Sequence, residues 1–118
     1  MNLSNRSSGG SEKRTQVRIP VDDEISVRDT VSGVELGTLA NVHDAGFMVI
    51  SDGGLKEDHL YQVAFEVNSG RPAIALGAEC LWISETGTGD QVWAGFQIMD
   101  ISEDARQQIA TLMTQYQE

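Results

Sequence analysis

From Val17 onward, short stretches of β-branched and aromatic residues alternate with clusters of glycine, aspartate, asparagine and serine, and this rhythm leaves room for few folds. Leu60 to Val67 is the clearest stretch. Tyr61, Val63, Phe65 and Val67 fall on one side of an extended chain and Gln62, Ala64 and Glu66 on the other, the period-two pattern of a half-buried strand. The same reading places strands at about Glu24 to Arg28, Leu36 to Val42, Phe47 to Ser51, Ile74 to Ser84 and Gln91 to Met99. Val31-Ser-Gly33, His43-Asp-Ala-Gly46, Asp52-Gly-Gly54 and Glu85-Thr-Gly-Thr-Gly-Asp90 separate them as reversals, built from residues that tolerate turn geometry. Strands joined by tight reversals are antiparallel. About six of them, spaced roughly ten residues apart, predict an all-β fold: a small six-stranded antiparallel barrel, which closes on itself and so leaves no exposed edge.

The period changes near the end of the chain. Ala105, Ile109, Leu112, Met113 and Tyr116 share one face of a 3.6-residue repeat, which predicts a helix over about 103–116 that covers the barrel with its apolar stripe. Ser102 is placed to cap it, and Glu103 and Asp104 suit the positive end of the helix dipole.

With 118 residues, 40% of them hydrophobic and 22% charged, the chain matches one globular domain with a self-sufficient core. Residues 1–12, rich in Ser, Gly and Asn, read as a flexible basic arm, and 13–118 as the barrel domain. No apolar run reaches the ~18 to 20 residues that a membrane-spanning helix needs, so no membrane insertion is expected. The first residues lack the apolar core of a secretory signal, and Cys80 is the only cysteine. A cytoplasmic location is therefore expected.

The net charge of −10 argues against DNA or RNA as partners, since affinity for a phosphate backbone needs basic surface. The charge is uneven, however. Residues 1–18 carry Arg6, Lys13, Arg14 and Arg18 against Glu12, a sum of +3, while the remainder sums to −13. One reading of the basic tail is mere solubility. The other is a local anion site: arginines clustered within about a Debye length, ~8 Å, can hold a compact anion on an acidic protein, whereas a long polyanion is repelled.

Arg14-Thr-Gln-Val-Arg18 sets two guanidinium groups where the arm enters the barrel. In an extended segment, positions four apart point the same way, ~13 Å from each other, and their long side chains can converge on one ligand. Arginine suits such a ligand because its planar fork grips phosphate oxygens in pairs and stacks on base faces. Downstream, Asn41-Val-His-Asp-Ala-Gly46 forms a strand-turn-strand with a glycine that permits positive φ or close backbone approach.

Together these resemble the PilZ family, whose marks are an Arg-x-x-x-Arg stretch followed by an Asp/Asn-x-Ser-x-x-Gly turn. The strand Trp93-Ala-Gly-Phe-Gln-Ile-Met99 leading into the final helix is similar to the family pattern too, so the resemblance spans about residues 13 to 118. It implies a six-stranded barrel that binds cyclic diguanylate, two guanosines closed by two phosphodiesters. By that resemblance Arg14 and Arg18 grip phosphates and stack on guanines, Lys13 adds charge, and Asn41 with the turn through His43 to Gly46 contacts a guanine or its backbone. Binding would order the arginine arm and present a changed surface to a protein partner. His43 departs from the pattern, standing where the family has serine. Its imidazole is bulkier and either blocks that contact or replaces it.

Trp82 and Trp93, on neighbouring strands, read as packing residues, Met99 and Met113 as core fillers, and His59 as a solvated loop residue. His43, His59 and Cys80 lack metal-ligand spacing, and no cofactor is called for. Gly87-Thr-Gly-Asp90 lacks the lysine and following helix of a phosphate loop, and no nucleophile, base and orienting group can be assigned, so no enzyme activity is expected. Two functions stay open: a cyclic diguanylate receptor, or an adaptor of the same fold that has lost nucleotide binding and acts through protein contacts.

Overall fold

The computed structural model of the chain describes residues 17–20, 24–67, 72–85 and 89–116. Seven strands and one helix follow in order: β1 Val17–Arg18, β2 Ile25–Asp29, β3 Glu35–Val42, β4 Gly46–Ser51, β5 Leu60–Val67, β6 Ile74–Glu85, β7 Val92–Asp100 and α1 Glu103–Tyr116. Each expected strand is present to within two residues, and the helix begins at Glu103 as its periodicity predicts.

All pairings are antiparallel, with spatial order β1-β3-β2-β5-β6-β7-β4 and a further β3–β4 pairing that closes the ring. Six strands thus form the barrel and β1 is an addition to it. Because β4 holds one edge of β3, β1 must pair with the other, the edge that β2 also uses. The two therefore lie end to end, β2 beside Glu35 to Thr38 and β1 beside Asn41 and Val42.

Alternation sends Ile25, Val27, Val49, Val63, Phe65 and Phe96 inward, where they exclude water from the barrel interior. Three phenylalanines form its centre. Phe47 meets Phe65 edge-on at 4.9 Å between ring centroids and stacks on Phe96 at 4.9 Å. Helix α1 starts where expected: Ser102 Oγ accepts from the Ala105 N–H at 3.0 Å, satisfying a donor that the first turn leaves unpaired. Its stripe of Ala105, Ile109 and Leu112 is buried and joins the same core, against β6 and β1.

Two connections show why their residues were legible. Gly33, Gly53 and Gly54 take positive φ, and Asp29 Oδ1 accepts from the Val31 N–H at 2.8 Å to fold the β2–β3 turn. Met99 differs from expectation. It is 54% exposed rather than a core filler, because alternation along β7 sends Ala94, Phe96 and Ile98 inward and leaves Met99 on the outer face.

Candidate functional site

Strand alternation separates the two residues of β1. Val17 is wholly buried in the core, and Arg18 points outward, exposed to solvent. Across the ladder Arg18 stands opposite Asn41. Asn41 reaches that outer face through an irregularity. In regular alternation Leu39, which points inward, would carry Asn41 inward as well. Leu39 pairs with Val49 and Asn41 with Met48, so Ala40 is an extra residue; this β-bulge turns Asn41 out and returns Val42 to the core.

The same device recurs on β6. Cys80 pairs with Phe96 and Trp82 with Gly95, leaving Leu81 as the extra residue. Cys80 stays in the core while Trp82 turns outward, 40% exposed. The register then assembles one row on the barrel wall: Arg18, Asn41, Met48, Gly95 and Trp82, on β1, β3, β4, β7 and β6. At ~4.8 Å per strand the row spans about 19 Å. Thr38, Ile50 and Trp93 make a second row beside it.

Glycine is required at two points of this wall. A Cβ on Gly95 would lie 2.1 Å from Trp82 Nε1, so the bare backbone lets the indole lie across β7. A Cβ on Gly46 would lie 2.4 Å from the Phe96 carbonyl oxygen. Gly46 therefore serves close strand approach and not a positive φ.

The His43 to Gly46 turn is held by its own hydrogen bonds. The His43 N–H donates to the Gly46 carbonyl at 2.9 Å, and the Ile98 N–H ties the Ala45 carbonyl to β7 at 3.0 Å. His43 Nδ1 accepts from the Ala45 N–H at 3.3 Å, which leaves Nε2 as the donor of the neutral ring. The imidazole is thus oriented by its own turn and lines a groove beside Asn41.

Two grooves meet on this wall. The first, about 410 Å³, is bordered by Arg18, Pro20, Asn41, Met48, Ile50 and Trp93, with Glu24 also at its edge. The second, about 400 Å³, is bordered by Asn41, His43, Gly46, Met48, Trp82 and Gln97. Asn41 and Met48 belong to both. Of the residues expected at the site, Arg18, Asn41, His43 and Gly46 are brought together here, whereas Lys13 and Arg14 lie outside the described residues.

Both tryptophans, read from the sequence as core or rim packing residues, lie at the rim, where they line the two grooves. The direction of Trp93 was recoverable: Ala94 and Phe96 point inward by simple alternation, which puts Trp93 and Gly95 outside. That of Trp82 was not, because it is set by the bulge at Leu81. Among the described residues, no group of three or more His, Cys, Asp or Glu side chains gathers to hold a metal, and no helix is long and apolar enough to cross a membrane.

A closed antiparallel barrel with a grooved outer wall and an arginine on an appended strand defines a small binding module. The PilZ domain model matches residues 12–115, and the chain belongs to the PilZ domain family, whose members are receptor or adaptor modules. No curated protein matches it significantly. Among solved structures, the fold is similar to the PilZ domain with c-di-GMP of YcgR from Escherichia coli, at a TM-score of 0.67 and 15% identity, covering 91% of this chain and 92% of that one. It is similar also to the Bacillus subtilis inhibitor of motility (MotI/DgrA), with a TM-score of 0.66, 12% identity and coverage of 89% and 51%. MrkH, described as a c-di-GMP-dependent transcription regulatory factor, aligns with a TM-score of 0.67, 8% identity and coverage of 89% and 50%. The chain spans about half the length of these last two proteins.

Proposed function

We propose that the chain is a cytoplasmic, non-catalytic receptor for cyclic diguanylate, which it holds between an arginine arm and the outer wall formed by Asn41, His43 and Gly46. The observation that carries this reading is the placement of Arg18 directly opposite Asn41, beside the His43 to Gly46 turn, on the outside of a PilZ barrel. YcgR from Escherichia coli, a PilZ protein of the same fold, is described with this nucleotide in two structures.

The charges define what Arg14 and Lys13 must do. Glu24 borders the same groove as Arg18 and offsets part of its field, so a ligand with two phosphodiester charges needs the further cations of the arm. Arg14 and Arg18 then share the phosphates and stack on the bases, which orders the arm over the wall. Strand β1 contacts α1 as well as β3, so a change at Arg18 reaches the helix through the same short strand, and a protein partner reads the result. No cofactor takes part.

The second reading, an adaptor that has lost nucleotide binding, is favoured by one feature: an imidazole, fixed by its own turn, fills the position of the family serine. Calorimetric titration with cyclic diguanylate decides between them. Micromolar or tighter binding that weakens with salt supports the receptor, and absence of heat from a folded sample supports the adaptor.

A further inference from the structure

The exposed apolar side chains of this barrel are not scattered. Among the described residues the large hydrophobic side chains left exposed are Val31, Val34, Leu60, Leu81, Trp82 and Met99, and none lies on β1, β3, β4 or α1. Trp82 belongs to the groove wall described above. The others sit on the outer face of β5, β6 and β7, with Leu60 72% exposed, and on the β2–β3 turn, which the Thr30 N–H ties to the Gln62 carbonyl of β5 at 2.8 Å. Single exposed hydrophobics are ordinary, but a group of them on one face marks an interaction surface. We infer that this face docks a basic amphipathic segment of a protein partner, whose lysine or arginine meets Glu79 while its apolar residues cover Leu60 and Met99. The inference rests on the reading above only in supposing a protein partner, and it stands for receptor and adaptor alike.

Register makes Glu79 the centre of the face. Leu60 stands directly opposite it on β5 and Gln97 opposite it on β7; Met99 comes two residues past Gln97, and Leu81 two residues past Glu79 on its own strand. Diagonal neighbours in a sheet are about 7–8 Å apart, so these apolar side chains surround the carboxylate. Glu79 is half-buried, and no lysine or arginine among the described residues pairs with it. A carboxylate set among apolar groups loses hydration that no cation of this chain replaces, and a partner's cation placed there completes the pair.

The charge of the face has one sign. Strands β5, β6 and β7 carry Glu66, Glu79, Glu85 and Asp100 and neither lysine nor arginine. Asp58, Glu79 and Asp100 lie on a diagonal across the three strands, because the Asp58 N–H donates to the Cys80 carbonyl at 2.7 Å and Asp100 stands opposite Gly77. Asp58 holds a φ of 64°, a backbone conformation that favours glycine, yet an exposed carboxylate is kept there. This diagonal selects the occupant. Nucleic acids and anionic membranes present phosphates, which it repels. A second copy related by a twofold axis would set these carboxylates against their own kind. In the ring, β5 and β6 lie across from β4 and β3, so a partner over Leu60 leaves the wall at Asn41 open to a nucleotide.

A helical peptide of leucine and lysine, with its leucines on one face, is the probe. Added to the isotopically labelled full chain and followed by nuclear magnetic resonance, it is expected to shift the amides of Leu60, Glu79, Leu81 and Met99 and leave those of Arg18 and Asn41 in place. The same peptide with glutamate for each lysine is expected not to bind. Glu79→Lys should weaken lysine-peptide binding about 10-fold or more, and Leu60→Ser by a smaller factor. Met99→Ser replaces Leu60→Ser if circular dichroism shows the latter unfolded. Glu103→Lys makes the same change of charge on α1 and measures what net charge alone contributes. Shifts spread over the whole molecule, or equal losses in Glu79→Lys and Glu103→Lys, would overturn the docking surface. A dimer of the chain alone, seen in sedimentation and abolished by Leu60→Ser, would overturn it too, by making a second copy the occupant. Cyclic diguanylate is expected to bind Glu79→Lys as it binds the unaltered chain; if it binds neither, the receptor reading alone falls, and the peptide result still decides the docking surface.

Discussion

Arg18 and Asn41 stand opposite each other across the β1–β3 ladder, both on the outside of the barrel, although 22 residues of sequence separate them. One is outward by simple alternation with the buried Val17, and the other by the extra residue at Ala40. The cation and the amide are therefore neighbours by backbone geometry, and either side chain can be changed without disturbing the core.

Arg18→Ala should abolish or strongly weaken cyclic diguanylate binding, by about 10-fold or more, since a charge-assisted contact to phosphate is lost. Its melting temperature should stay within about a degree or two of the parent, because an exposed side chain leaves the packing intact. Calorimetry beside thermal unfolding checks both. Loss of fold in this variant would contradict the geometry.

His43→Ser should preserve or improve affinity. The serine offers a hydroxyl in less volume and opens the second groove, while the turn keeps its backbone bond between His43 N–H and the Gly46 carbonyl. A large loss of affinity on titration would show that the imidazole makes a ligand contact of its own.

Gly46→Ala should destabilise the fold by about 1–3 kcal/mol, because the new methyl group collides with the Phe96 carbonyl and β4 cannot approach β7 as closely. Denaturant unfolding measures it. Gly53→Ala meets no neighbouring atom, and any destabilisation there should come from forcing an L side chain to φ +116° rather than from a collision.

Burial, with a further push from the Glu57 carboxylate, raises the Cys80 thiol above its ordinary value of 9.0. The unfolded chain releases this proton first, so the thiol's contribution to stability is intact below about pH 9 and is lost as pH climbs from there through the raised value. Urea unfolding at successive pH values should show a steeper alkaline decline for the parent than for Cys80→Ala. In the native state the thiol should also resist alkylation until the barrel opens.

The fold was legible because its signals are local. Tyr61 to Val67 alternates cleanly, the Gly53 and Gly54 reversal needs positive φ, and Ser102 caps a helix with a regular stripe. The Arg18 and Asn41 elements of the site were legible as short motifs in a fixed order. Directions were harder to read. Leu39-Ala-Asn41 and Cys80-Leu-Trp82 contain no glycine or proline to announce a bulge, so period two assigns Asn41 and Trp82 to the interior. Both bulges are settled by tertiary pairing with β4 and β7, which no local pattern encodes.

A barrel whose exterior chemistry is set by single surplus residues can be rewired by length as well as by composition. Deleting Ala40 or Leu81 would exchange the lining of a groove for the lining of the core along the adjoining segment, at one stroke. Gaining such a residue in a related barrel would turn an interior amide or indole toward solvent without altering its identity. The loss or recruitment of a ligand wall in this architecture is thus one codon away, and aligning such chains without allowing for that slip would match residues that face opposite ways.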